Sequence, residues 1–158
     1  MSWSDRLLRL AVGDPKREVV EPLLSVHQRA TAQVQRLSAA AAQAPTAGAE
    51  HELRSLAAQE GELAAAVALA LQDRGAAPAA ASASPPELNG ATHNHWARLV
   101  EALEACRQAR ANLLRATPHL LELDAGLAGL LRAALHGLDA EVLALRSLIA
   151  RADPQALD

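Results

Sequence analysis

At 158 residues with a formal net charge of −3, the chain has about one domain's length and no whole-molecule field that would recruit nucleic acid. Half of it (51%) is hydrophobic, yet Phe and Tyr are absent and only two Trp occur, so the core must be Leu, Ala and Val, helices are favoured and no sheet is expected. The single Cys106 excludes an intramolecular disulfide and every Cys-rich zinc pattern, which fits a reducing cytoplasm.

Ser2 to Val12 reads as a short helix: Ser2 with Asp5 resembles a capping box, Trp3, Leu7 and Leu10 share a face, and Gly13 ends it. The N-terminus has no long apolar run and no small-residue cleavage site, and charges break the apolar stretches elsewhere. A soluble, unprocessed protein that does not enter a membrane is therefore expected.

Asp14-Pro15 is a helix start, and the first long helix should kink near Glu21 or restart there because of Pro22. It continues to about Gln43 with Leu23, Val26, Ala30, Val34, Leu37 and Ala41 on one stripe. The turn 44–48 brings back an antiparallel second helix, from about Ala49 to Arg74, with Gly75 as its C-terminal cap. That helix carries Leu53, Leu56, Glu60, Leu63, Val67 and Leu71 on its stripe, so one member is a carboxylate.

Gly75 to Asn94 is low in charge, rich in Ala, Ser, Pro and Gly, and lacks periodicity, as expected of a mobile, protease-sensitive linker. Its length predicts a crossover along the bundle, and so an up-down-down-up path. The third helix, about His95 to Ala116, presents His95, Leu99, Ala102, Cys106, Ala109 and Leu113, with Arg110 in the same arc, and Thr117-Pro118 should halt it. The fourth, Ala125 to Arg151, has the longest uninterrupted pattern: Leu127, Leu131, Ala134, Leu138, Val142, Leu145 and Ile149. Asp153-Pro154 ends it.

Few residues on these stripes carry chemistry. A ferritin-type di-iron centre needs Glu-x-x-His on two helices, and no Glu-x-x-His occurs. His51, His119 and His136 read as surface residues, and His93 with His95 as a polar loop and helix start. His27 flanks the first stripe and reads as a partly buried, hydrogen-bonded histidine, or as a ligand or base. Cys106 reads as a small core residue unless a neighbouring cation lowers its pKa. Glu60, Arg110 and His27 fall at similar levels of the bundle. A lone charge in a Leu/Ala core is prohibitive, so Glu60 and Arg110 should pair, either as a register-setting ion pair or around a small polar cavity binding a metal or an anionic ligand.

The segments HELRSLAAQEGELAAAVALALQDRG (His51 to Gly75) and GLAGLLRAALHGLDAEVLALRSLIA (Gly126 to Ala150) resemble the second and fourth helices of the DinB/YfiT-like family of four-helix bundles. The resemblance implies a long crossover between helices two and three, and in many members a three-His metal site and thiol-dependent transferase or isomerase activity. Gln59, beside Glu60, stands at the position of the family's helix-two His. Gly137 and Glu141 stand at those of its helix-four pair, with His136 one place aside. The metal site is therefore not reproduced, and its activity does not carry over.

Together these readings predict an all-α, single-domain, cytoplasmic four-helix bundle with a short N-terminal helix. The expected function is metal-free binding or scaffolding, with no cofactor and with a homodimer formed through an Ala/Leu face. The alternative is a metal- or thiol-dependent enzyme with a polar core site. His27, Glu60, Arg110 and Cys106 are then the ligand-binding candidates, and His27, Glu60 and Glu141 the candidates for holding one divalent transition metal.

Overall fold

The computed structural model describes residues 15–78 and 94–152, which form four long helices packed as a bundle. Helix α1 spans Pro15–Ala42, α2 Ala47–Gln72, α3 His95–Leu123 and α4 Ala128–Ala152, the last entered through a 3-10 turn at Ala125–Leu127. Among the described residues there is no strand, and no helix is long and apolar enough to cross a membrane. The expected N-terminal helix over residues 2–12, and residues 79–93 of the expected linker, lie outside the described residues.

The helix ends follow local chemistry. Thr46 caps α2, its hydroxyl accepting from the Ala49 N–H, and Asn94 caps α3 by accepting from the Ala97 N–H at 2.9 Å. Past α2, Gly75 adopts φ 72°, the Ala76 N–H reaches the Leu71 carbonyl and the Gly75 N–H that of Gln72. This is a Schellman cap with glycine at its left-handed position, as the sequence suggests.

Both internal prolines are overridden. The first helix does not restart at Pro22, and Thr117-Pro118 does not end the third, which runs on to Leu123. Pro118 removes one N–H, whose partner would be the carbonyl of the exposed Leu114, where water can replace it. Beyond the proline, Leu120 is buried, and its burial holds the last turn in the helix.

The helices pack α1 on α2, α3 on α4 and α1 on α3, whereas α2 and α4 touch far less. Along α1 and α3, Glu18 meets His119 at one end and Ala40 meets His95 at the other, so these two run antiparallel. Along α2 and α4, Arg151 bonds both Glu52 oxygens, while at the opposite end Arg74 reaches Asp124 just before α4. Leu23, Leu37, Leu53, Leu71, Leu99, Leu120, Leu127, Leu138 and Leu145 fill the interior.

The Arg74–Asp124 contact ties two chain turns together. Asp124 Oδ2 accepts from Arg74 Nε at 2.9 Å and Nη2 at 2.5 Å, its Oδ1 accepts from the Gly126 N–H at 3.0 Å, and Arg74 Nη1 donates to the Ala70 carbonyl. Replacing Asp124 by Ala removes a cap and a two-pronged, part-buried ion pair together. The expected cost is about 1 to 2 kcal/mol, read as a lower urea midpoint with an unchanged slope. An unchanged midpoint would show that the tie contributes nothing.

Candidate functional site

The polar centre of the bundle is built from one residue of α2, one of α4 and two of α1. Glu60 is 4% exposed, Glu141 2% and Gln33 not at all. Arg29 Nη1 donates to Glu60 Oε2 at 2.8 Å, and Gln33 Nε2 donates both to Glu141 Oε1 at 2.6 Å and to the Ala102 carbonyl at 3.0 Å. The Glu60 and Glu141 carboxyls lie within hydrogen-bonding reach of each other. A chain of contacts thus runs from Arg29 through Glu60 and Glu141 to Gln33, and it links three helices.

Two carboxylates this close in an apolar core cannot both be charged, and one proton resolves the conflict. Glu60 has Arg29 as counter-ion, so the proton belongs to Glu141. Burial pushes the Glu141 carboxyl up to about 8, with the hydrogen bond and the charge of Glu60 acting in the same direction. Gln33 and Arg29 oppose the rise without cancelling it. Two polar atoms of the cluster, Gln33 Oε1 and Arg29 Nη2, are buried without a hydrogen-bond partner.

Where α2 and α4 stand apart, a cleft of about 610 Å³ opens, with Glu60 and Glu141 among its lining residues. Leu63, Ala66, Leu130, Ala133 and Ala134 supply apolar wall, and Gln59, Glu62, Arg132 and His136 polar lining. Gly129 and Gly137 also line it, and a Cβ built on either would meet nothing within 4 Å.

The structure separates the residues that the sequence grouped. Glu60 is buried and paired, as expected of a carboxylate on a core stripe, but its partner is Arg29 and not Arg110. Arg110 instead pairs with Asp139 across the α3–α4 surface, with both side chains largely exposed. It sits one residue past the buried Ala109, which swings its side chain out to the flank of the stripe. His27 is half-buried on α1, and its backbone carbonyl accepts from the Thr31 hydroxyl. It neither lines the cleft nor reaches Glu60. His51, His119 and His136 are exposed, and His95 Nδ1 donates to the Ala40 carbonyl. Among the described residues, no three His, Cys, Asp or Glu side chains are arranged to hold a metal ion.

Cys106 is completely buried, and its thiol points at the Leu138 carbonyl, 3.6 Å away. Burial, followed by the nearby Glu141 and Glu60 charges, drives the thiol far above its ordinary range. No thiolate is available for nucleophilic chemistry. Cys106 should therefore react with an aromatic disulfide reagent only as fast as the protein opens, and at the free-thiol rate in denaturant. Rapid labelling of the folded protein would contradict this placement.

Arg29, Gln33 and Glu141 are the functional candidates that following apolar residues along the helices does not find as a group. A repeat was available: Leu127, Leu131, Ala134, Leu138, Glu141, Leu145 and Leu148 alternate strictly by four and three. Following hydrophobicity to Val142 and Ile149 steps over Glu141, and following it to Val34 on α1 steps over Gln33 in the same way. The structure leaves Val34, Val142 and Ile149 only half-buried. Among protein-family models, characterised proteins and solved structures, no match to this chain is found, so no family match supports the DinB/YfiT resemblance.

Proposed function

We propose that this is a metal-free small-molecule binding protein whose ligand occupies the α2–α4 cleft, with the Glu60–Glu141 pair reading its polar end. One observation carries the proposal. Gly137 lies inside α4 on the cleft wall, where glycine costs about 1 kcal/mol relative to Ala, and nothing near it requires the missing Cβ. A helix weakened without a packing reason, beside a buried polar pair, is what an open binding site requires.

Replacing Gly137 by Leu tests this, because it fills the cleft while improving the helix. Stability should rise by about 0.5 to 1 kcal/mol. Fragments that shift the Leu63 and Leu130 methyl resonances of the natural chain should shift neither in the variant. A loss of stability would mean that the glycine serves packing, and an absence of such fragments for the natural chain would refute the cleft as a site.

The metal- or thiol-dependent enzyme is the weaker reading, because Cys106 is sealed in the core and His27 stands apart from both carboxylates. The antiparallel α1–α3 and α2–α4 pairs favour an up-down-down-up path with the crossover after Gly75, in one domain. That path agrees with a DinB-like topology in which the family's metal ligands are replaced by Gln59, Gly137 and Glu141. Homodimer formation is carried only by exposed side chains such as Leu69 and Leu143.

A further inference from the structure

We infer, resting on the reading of the α2–α4 cleft as a ligand site, that its ligand is a small organic ammonium ion with an apolar body, taken up in exchange for the proton between Glu60 and Glu141. The first argument is charge balance. With that proton in place, the buried set of Glu60, Glu141 and Arg29 is neutral, one carboxylate facing one guanidinium. An anion would be set against the Glu60 carboxylate, and Arg29, the cation of the buried set, is already paired at 2.8 Å; Arg132, which also lines the cleft, is solvent-exposed. A neutral molecule would leave the pair as it is and gain little from it. A monovalent cation that displaces the proton is the one exchange that adds a charged ligand and returns the set to neutrality. No bond other than O–H is broken: Glu141 releases its proton to solvent and its carboxylate accepts an N–H from the ligand.

The second argument is hydrogen-bonding capacity. Gln33 is fully buried and commits its amide N–H group to Glu141 and to the Ala102 carbonyl, so its Oε1 is left beside the pair without a donor. The cluster also holds a buried donor without a partner, Arg29 Nη2, but neither it nor Gln33 lines the cleft; the three N–H groups of an ammonium meet the oxygens of Glu60 and Glu141, which do. Leu63, Ala66 and Leu130, on the cleft walls, suit an apolar body.

The exchange makes binding depend on pH, and the groups around Glu141 decide how cleanly that is read. From α1 it is faced by Arg29, from α2 by Glu60 and Glu62, and from α3 by Cys106, while His136 and Arg132 of its own helix line the same cleft. Histidine is the side-chain type whose charge can change within the pH range measured, so the profile is taken in a His136→Asn background as well.

The test is calorimetry of the full chain with hexylammonium chloride, alongside hexanol and hexanoate, with Leu63 and Leu130 methyl shifts locating each ligand. Hexylammonium should bind in the cleft and release about one proton per molecule at pH 7. Its affinity should rise about tenfold from pH 6.5 to 7.5, in both backgrounds. Glu141→Gln, which keeps the shape of the protonated acid and cannot ionise, should abolish the proton release and weaken hexylammonium at least tenfold. Cleft shifts from hexanol or hexanoate but not from hexylammonium, or hexylammonium binding without proton release, would overturn the ammonium assignment and leave the cleft standing. If none of the three moves those methyls, the cleft itself is not a binding site.

Discussion

Replacing Arg29 by Met should destabilise the protein by about 3 to 5 kcal/mol, which would make it one of the most damaging single substitutions available in the chain. The Arg29 side chain is 17% exposed and its Nη1 is the hydrogen-bond donor to Glu60, itself 5% exposed at the side chain. Without Arg29, the α2 carboxylate has only the neutral acid of Glu141 beside it. Glu60 must then remain charged in an apolar interior or take up a second proton, and either is costly. Glu60→Leu alone leaves the guanidinium uncompensated, although its partial exposure lets it turn toward water, so the cost should be smaller. The double variant Arg29→Met, Glu60→Leu removes both charges and should recover about 2 kcal/mol relative to the sum of the singles. Denaturant unfolding of the four species measures that coupling. Additivity would mean that the 2.8 Å contact does not hold Glu60 in place.

Stability should fall as pH rises from about 4.5 to about 8, by about 5 kcal/mol, and level off above that range. The sign follows from proton counts. The Glu141 carboxyl is raised in the folded chain and ordinary in the unfolded one, so between those values the folded state holds a proton that the unfolded state has lost. Its contribution is complete below the unfolded value and is lost as pH passes the folded one. Glu141→Gln should flatten this stretch of the profile, because an amide N–H donates to Glu60 at every pH, and the variant should exceed the natural chain in stability at pH 9. A natural chain whose stability rises across pH 5 to 8 would contradict the shared-proton arrangement.

Much of the architecture was legible in the residues. Leu and Ala at helical spacing, the glycine after α2 and the short turn before it specify helices and one antiparallel pair, because these signals act over a few residues. Pro118 misled because its effect is local while the burial of Leu120, just beyond it, is tertiary. The polar centre was legible in part. Glu60 interrupts an apolar stripe and therefore announces itself, whereas Glu141 and Gln33 each stand beside a valine that offers an apolar substitute on the neighbouring face. Arg29 could not be paired from sequence, since the choice between it and Arg110 depends on helix rotations of a few tens of degrees. A cavity beside Glu60 was among the expectations, but its place between α2 and α4 was not legible, because it arises from the spacing of those helices, which no residue pattern encodes directly.

That spacing also orders the assembly of the molecule. Glu60 belongs to the α1–α2 hairpin and Glu141 to the α3–α4 hairpin, and each hairpin is closed by a short connection, so its contacts form locally and early. The two carboxyls meet only when the hairpins dock along α1 and α3, at the largest loop closure in the chain. Proton uptake therefore belongs to docking and not to helix formation. In alkaline solution docking would bring two charged carboxylates together at the place where they must share a proton.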